Sequence, residues 1–192
     1  MKEIVLASSS PRRRELLTQA GIPFVAVPGD VDEENADISG TPEQKAEQLA
    51  YLKAVNVADR QDGIILGADT IVVLDNEIFG KPADAESARN MLKKLSGREH
   101  FVITGIALID TSSGRKSTVH ETTKVRFSTL SDKEIEAYIE SGEPFGKAGA
   151  YAIQGRAALF VESLKGCYSN VVGLPLRRLY RLLQDFGILL YK

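Results

Sequence analysis

The chain has 192 residues, of which 43% are hydrophobic and 26% are charged, and its formal net charge is -2. This composition excludes a disordered tail and predicts a globular protein with one sizeable core or two closely joined lobes. The acidic balance offers no general attraction for nucleic acid, and no apolar run approaches the ~20 residues that span a bilayer, so we expect neither partner. The single cysteine, Cys167, cannot form an internal disulfide, which is compatible with a reducing compartment and predicts a cytoplasmic protein.

The first motif lies near the start of the chain. Residues 4–6 are apolar and predict a buried strand, Ser8 to Ser10 predict a loop, and Pro11 predicts the first turn of a helix whose N-cap is Ser10. Such a unit directs unpaired backbone N–H groups and the positive end of the helix dipole at one point. We therefore predict a phosphate site that includes Ser8.

Three arginines occupy the first turn of this helix, where cations are unfavourable unless an anion compensates them. Successive helical residues point about 100° apart, so at most two of the three can face one ligand. We predict that Arg12 and Arg13, nearest the loop, face the ligand and that Arg14 faces solvent. The alternative is a basic helix start that pairs with Glu15 or with acidic residues elsewhere.

An acidic stretch and a helix come next. The stretch from Asp30 to Asp37 is either a solvated loop or a source of carboxylates that hold a divalent metal near the phosphate site. Thr41 and Pro42 then begin a predicted helix with apolar residues at helical spacing. Lys53 lies on the apolar side of this helix, where it either extends its amine to solvent or reaches into a site.

The second informative stretch surrounds Asp69. Ile64–Leu66 predicts a strand, residues 67–70 are expected to break it, and Ile71–Leu74 continues in strand-like residues. An aspartate inside such an apolar run is costly to bury unless it is paired or bound to a metal. Asp69 is therefore the first candidate for chemistry, and the alternative is an aspartate that caps a turn between two strands.

A hairpin turn is predicted at residues 75–77, and a loop follows it at residues 80–82. The proline after Lys81 forces an extended backbone there, so the ammonium projects from a loop and suits a phosphate oxygen. The remaining predicted strands are residues 22–27, 101–109 with a break at 104–105, 117–127 and 159–164. The remaining predicted helices are residues 85–95, a short helix that begins at Ser131, and 174–186.

Glycines dominate the segment from Gly142 to Gly155. Small residues there let the backbone approach a ligand closely, and Tyr151 and Gln154 offer the polar contacts that a nucleobase needs. The alternative is a bulged, glycine-rich edge of the sheet.

The chain resembles the Maf family of nucleoside triphosphate pyrophosphatases over nearly its whole length. The matching motifs, in chain order, are A-S-S-S-P-R-R at residues 7–13, G-A-D-T at 67–70, G-K-P at 80–82, S-G-R at 96–98, K-A-G-A-Y-A-I-Q-G at 147–155 and V-G-L-P at 172–175. The resemblance implies a single domain over residues 1–192 with a three-layer α/β fold. It implies a long mixed β-sheet and two lobes around a cleft, similar to inosine-triphosphate pyrophosphatases.

The resemblance also implies hydrolysis of a nucleoside triphosphate to the monophosphate and pyrophosphate. It implies dependence on a divalent metal, Mg²⁺ or Mn²⁺, a homodimer, and a link to septum formation. In the family the position of Asp69 is treated as the general base. The positions of Arg12, Thr70 and Gln154 mark the branch that prefers dTTP and UTP.

The residues and the resemblance meet in one hypothesis, in which Asp69 activates water for attack at the α-phosphorus. The residues assigned to the triphosphate are Ser8, Arg12, Arg13, Lys53 and Lys81, and those assigned to the metal are Glu33 and Asp69. One alternative is a nucleotide-binding regulator without turnover. Another is a nucleic-acid-binding protein that uses Arg12 to Arg14, against which the acidic balance stands.

Overall fold

The computed structural model describes residues 4–29, 31 and 36–191, which form an α/β structure. The strands are β1 (Ile4–Leu6), β2 (Phe24–Ala26), β3 (Ile64–Leu74), β4 (Glu77–Phe79), β5 (Glu99–Asp110), β6 (Arg115–Phe127) and β7 (Val161–Lys165). The α-helices are α1 (Pro11–Gln19), α2 (Pro42–Ala58), α3 (Ala85–Leu95), α4 (Asp132–Glu140), α5 (Tyr168–Val172) and α6 (Leu176–Asp185). Two short 3₁₀ helices cover Ala148–Ala150 and Arg156–Phe160. No helix in these ranges is long and apolar enough to cross a membrane.

The strands form one seven-stranded sheet in the order β2-β1-β3-β5-β6-β7, with β4 paired to β3. Strand β1 pairs in parallel with β2 and with β3, in a register that places Leu6 opposite Leu66. Strands β4 and β7 are antiparallel to β3 and β6. The predicted α/β class with a mixed sheet is confirmed.

The chain divides into two compact units. Unit 1 comprises Met1–Asp69, Thr104–Glu121 and Gly173–Lys192, and unit 2 comprises Thr70–Ile103 and Thr122–Val172. The long strands β3, β5 and β6 each contribute residues to both units.

The core of unit 1 forms where α2 packs on the sheet. Ala54 and Val57 of α2 lie in one buried cluster with Val5 of β1, Ile65 of β3 and Ala107 of β5. The start of α2 matches its sequence, with Pro42 in the first turn and a reciprocal capping box between Thr41 and Gln44.

The strand breaks predicted at residues 67–70 and 104–105 are wrong, because β3 and β5 run through both positions. The glycines there serve packing instead. A Cβ on Gly67 would overlap the Ala50 carbonyl oxygen, and one on Gly105 would overlap the Ala46 carbonyl oxygen. These glycines let α2 approach the sheet closely.

Unit 2 contains the hairpin turn, α3 and α4 largely as predicted. Asp75 and Asn76 both adopt positive φ, as a two-residue hairpin turn requires, and β4 begins directly at Glu77. Helix α3 spans the predicted residues, and Ser131 caps α4. Some boundaries differ near the end of the chain: a 3₁₀ helix delays β7 to Val161, and the unpredicted α5 precedes an α6 that begins at Leu176.

Candidate active site

Asp69 lies within the continuous strand β3 and is only 6% exposed. Its Oδ1 is 2.5 Å from the Nζ of Lys53, whose side chain is 12% exposed. The alternative of an aspartate that caps a turn is therefore wrong. The expectation that a buried aspartate needs a charged partner or a metal is met by this ion pair, which sequence reasoning did not assign.

The approach of α2 to β3 brings Lys53 to Asp69. Without a side chain on Gly67, the backbone of Ala50 can sit against β3, and Lys53 lies about one helical turn further along. A Cβ on Gly67 would also lie 2.9 Å from the Cβ of Ala54. Gly67 is thus a positioning residue for the ion pair.

The loop after β1 folds around Ser8 and Arg13. The Ser8 hydroxyl accepts hydrogen bonds from the backbone N–H of Ser10 at 3.2 Å and from Nη1 of Arg13 at 3.1 Å. Arg13 is buried, and its Nε donates to the Gly173 carbonyl oxygen at 2.8 Å. Arg13 thereby joins the A-S-S-S-P-R-R loop to the V-G-L-P motif.

Helix α1 begins at Pro11 with Ser10 as its N-cap, as predicted, and it has no acidic residue in its first turn. Arg12 is half-buried, whereas Arg14 is exposed, in agreement with its predicted place in solvent. The first turn therefore carries two cations that are at least partly sheltered from water, which is the arrangement expected where an anion binds.

Strand order places the Ser8 loop and Asp69 at the same end of a parallel strand pair. Strand β1 ends at Leu6, opposite Leu66, and the backbone N–H of Ala7 still donates to the Leu66 carbonyl oxygen at 2.8 Å. Asp69 lies three residues further along β3. The carboxyl ends of parallel strands are where α/β proteins bind ligands. Unit 1 thus gathers five of the predicted site residues, namely Ser8, Arg12, Arg13, Lys53 and Asp69.

Three other predicted site residues belong to unit 2. Thr70 is half-buried and directly follows Asp69 in β3, Lys81 is exposed in the loop between β4 and α3, and Gln154 is exposed. Glu33, assigned to the metal, lies outside the described residues. Within the described ranges no three His, Cys, Asp or Glu side chains form a group that could hold a metal ion.

The glycine-rich segment is not a bulged sheet edge, so that alternative is wrong. It forms turns and the 3₁₀ helix Ala148–Ala150, and the second 3₁₀ helix begins directly after it at Arg156. The backbone N–H of Gly149 donates to the Gly80 carbonyl oxygen at 3.0 Å, which joins this segment to the G-K-P loop. Gly149 has a φ of +66°, and a Cβ there would lie 2.9 Å from a methyl group of Val72, so both its conformation and its surroundings favour glycine.

Sequence reasoning missed two residues that hold this segment. These are Tyr138, which lies in α4, and Glu143, which follows that helix. Tyr138 accepts a hydrogen bond from the backbone N–H of Ala152, and Glu143 accepts one from that of Arg156. The available signal was Glu143 followed by Pro144, an acidic residue and a proline at the start of the glycine-rich segment.

The family model described as Maf-like protein matches residues 3–186. The chain belongs to the Maf family. It is 60% identical over 188 residues to the dTTP/UTP pyrophosphatase of Ruminiclostridium cellulolyticum, covering 97% of each chain. It is 52% identical to the dTTP/UTP pyrophosphatase of Pelotomaculum thermopropionicum, covering 97% of this chain and 98% of that one. The resemblance inferred from the sequence motifs is confirmed.

Solved structures of Ham1 proteins share the fold. The HAM1 protein of Coxiella burnetii aligns with a TM-score of 0.54 at 20% identity, covering 96% of this chain and 100% of that one. The Ham1 protein of Staphylococcus aureus aligns with a TM-score of 0.52 at 16% identity, covering 97% and 98%. At such identities the likeness concerns the fold alone.

Proposed function

We propose that this protein hydrolyses nucleoside triphosphates, with dTTP and UTP preferred, to the nucleoside monophosphate and pyrophosphate. The observation that carries the proposal is the buried Lys53–Asp69 pair at the end of the β1–β3 pair where the Ser8 loop also lies. The activity in the names of the two relatives, dTTP/UTP pyrophosphatase, agrees with it.

In this proposal Asp69 is the general base. Its carboxylate takes a proton from a water molecule while the water oxygen bonds to the α-phosphorus. The bond from that phosphorus to the oxygen bridging to the β-phosphorus breaks, and pyrophosphate leaves with the electron pair. Lys53 compensates the charge of Asp69 in a place that is largely shielded from water and holds one carboxylate oxygen.

The phosphate groups are assigned to the cations and to the start of α1. Arg12 and Arg13 add positive charge to the backbone N–H groups at that helix start, and Ser8 adds a hydroxyl. Lys81 is assigned to a phosphate oxygen from the G-K-P loop. Positioning and electrostatic stabilisation of the pyrophosphate supply most of the rate acceleration in phosphoryl chemistry of this type.

The donor chemistry of Asp69 fits a divalent cation, Mg²⁺ or Mn²⁺. A carboxylate can accept a hydrogen bond from Lys53 and ligate a cation at the same time, because it has several lone pairs. Mg²⁺ is commonly bound by one or two carboxylates together with substrate phosphates and water. When bound, such an ion supplies charge neutralisation on the phosphate oxygens. Glu33 is the second proposed ligand.

The nucleobase is assigned to Gln154. Its amide can pair with the O4 and N3–H edge of thymine or uracil, whereas cytosine and the purines present a different order of donors and acceptors. Arg12 and Thr70 complete the set of positions that marks the dTTP and UTP branch. A site built to pair one edge rejects others strongly, because its polar groups are then left unpaired.

The same proposal carries wider expectations about the protein in the cell. Nucleoside triphosphates are made and used in the cytoplasm, so a substrate of this class favours a cytoplasmic protein. We expect the enzyme to remove nucleotides from the cellular nucleotide pool. Its expected working form is a homodimer. Septum formation is the cellular process in which to look for its effect. We expect no nucleic acid or membrane partner.

The test measures pyrophosphate release from dTTP, UTP, CTP, GTP, ATP and 7-methyl-GTP with Mg²⁺ or Mn²⁺. We expect the highest kcat/KM for dTTP and UTP. Asp69→Asn should retain dTTP binding but lower kcat by ~10²- to 10⁴-fold, since it keeps the side-chain size and removes the base. Asp62→Asn, an exposed aspartate in unit 1, is the matched control and should behave as wild type.

Three results would contradict the proposal. If kcat/KM for any purine nucleotide equals or exceeds that for both dTTP and UTP, the predicted pyrimidine preference is wrong. If the Asp69→Asn variant folds and its turnover stays within a few-fold of wild type, Asp69 is not the general base. Binding of dTTP without pyrophosphate release identifies a nucleotide-binding regulator instead.

A further inference from the structure

The backbone on both sides of Gln154 is fixed by two side chains from the preceding segment. The Tyr138 hydroxyl accepts a hydrogen bond from the backbone N–H of Ala152 at 3.2 Å and donates one to Oε1 of Glu143 at 2.9 Å. The other carboxylate oxygen of Glu143 accepts a hydrogen bond from the backbone N–H of Arg156 at 3.0 Å. The two anchored N–H groups lie two residues before and two residues after Gln154.

A third point of contact lies at Gly155. A Cβ on this residue would overlap the carboxylate of Glu143, so the carboxylate occupies the space beside the glycine. Glu143 therefore restrains the residue next to Gln154 by direct packing, besides its two hydrogen bonds. Hydrogen bonds to a carboxylate are among the stronger ones in proteins.

The side chain of Gln154 is exposed, so its own packing does not fix its direction. A side chain that pairs with one edge of a nucleobase must be held within about 0.5 Å of the productive geometry. The rigidity must then come from the backbone that carries it, and that backbone is the one anchored by Glu143 and Tyr138.

We infer that Glu143 is a positioning residue for nucleobase selection, acting through the backbone of residues 152–156 with Tyr138 as its partner. The inference rests on the proposed function, because it takes Gln154 as the residue that reads the base. Glu143 contacts the backbone and Tyr138, so its substitution should relax the choice between bases more than it slows phosphate chemistry.

The experiment compares kcat/KM for dTTP with kcat/KM for CTP in wild type, Glu143→Ala and Glu143→Gln. In Glu143→Ala the dTTP-to-CTP ratio should fall roughly 10- to 100-fold, the size expected when a hydrogen bond to a charged group is lost. The change should come mainly from a higher KM for dTTP. Glu143→Gln keeps one acceptor oxygen and should give an intermediate ratio. Glu140→Gln, exposed at the end of α4, is the control and should keep the wild-type ratio.

A double substitution tests the packing contact. Gly155→Ala alone should lower the dTTP-to-CTP ratio, because the new methyl group displaces the Glu143 carboxylate. When Gly155→Ala is added to Glu143→Ala, it should change the ratio by less than about twofold, since the carboxylate is gone. Equal effects of Gly155→Ala in both backgrounds would contradict the contact as the route of its action.

The outcomes separate this inference from the proposed function. If wild type does not hydrolyse dTTP, or shows no preference for it, the proposed function fails before the variants are considered. If wild type prefers dTTP and folded Glu143→Ala keeps the ratio within twofold, the inference is overturned. An equal loss for every nucleotide, carried by kcat, also overturns it, because that pattern indicates a purely structural role. If Glu143→Ala does not fold, Tyr138→Phe, which removes only the shared hydroxyl, is judged by the same ratio.

Discussion

His100 makes the stability of this protein depend on pH in a predictable way. The residue is fully buried in β5, its Nε2 lies 2.9 Å from the Tyr151 hydroxyl, and its ring packs edge-on against Phe127. Burial lowers the pKa of His100 from 6.5 to about 4. Burial also raises the pKa of Tyr151 well above its ordinary value, so the group facing the imidazole remains an uncharged phenol.

The sign follows from proton binding. Between pH 6.5 and pH 4 the unfolded chain binds a proton at His100 and the folded chain does not, so unfolding is favoured as pH falls through this window. Each pH unit inside the window lowers the free energy of unfolding by about 1.4 kcal/mol, so His100 should contribute a loss of about 1.4 kcal/mol between pH 8 and pH 5.5.

The assay is urea unfolding of wild type and His100→Gln at pH 8 and pH 5.5. The glutamine amide can still form a hydrogen bond with the Tyr151 hydroxyl but does not titrate, so the variant should lose about 1.4 kcal/mol less than wild type over this interval. Capping carboxylates with a lowered pKa, such as Asp84 and Glu134, weaken the fold only as pH falls below their ordinary pKa values of 3.8 and 4.5, which lie outside this interval. His120→Gln, which replaces the other histidine of the chain, is the control. An identical pH dependence in His100→Gln and wild type would refute the reasoning.

Two further substitutions probe the framework of the site. Gly67→Ala should force α2 away from β3 and lower the free energy of unfolding by about 3 kcal/mol, and it should reduce kcat because Lys53 moves. Gly80→Ala is the control and should have little effect on urea unfolding, because a Cβ on Gly80 meets no atom within 4 Å. Arg13→Lys should lower the free energy of unfolding by about 1.5–3 kcal/mol, because a lysine lacks the planar fork that spans both hydrogen-bond acceptors. The exposed Arg14→Lys is its control, and equal midpoints for the two variants would contradict the assigned bonds.

Local signals in the sequence were sufficient for most of the helices. Thr41 and Pro42 mark the start of α2, Ser131 marks the start of α4, and the turn at Asp75–Asn76 closes the β3–β4 hairpin. Each of these signals acts within a few residues, so a single sequence contains all the information that they need.

The errors came from residues whose role depends on distant neighbours. Gly67 and Gly105 look like strand breakers, but both are required by the close approach of α2. Gly105 lies 47 residues after the end of α2 at Ala58, so no local signal in the sequence links the two. The sequence could show that a buried Asp69 needs a partner, but only the packing of α2 on β3 identifies Lys53. Glu143 was missed for the same reason, since one of its carboxylate oxygens accepts from the backbone N–H of Arg156, 13 residues later in the chain.

The Lys53–Asp69 pair gives Lys53 a second role beside the phosphate contact that the sequence analysis assigns to it. Lys53 was assigned to the triphosphate, yet its ammonium lies 2.5 Å from Asp69. An ammonium has three N–H donors, and a contact to one carboxylate oxygen uses one of them. In the proposed mechanism Lys53 both holds Asp69 and binds a phosphate oxygen. If the proposed function is correct, the cation that compensates Asp69 as general base also attracts the phosphate that the activated water attacks, so binding of the triphosphate and orientation of the base would depend on one side chain.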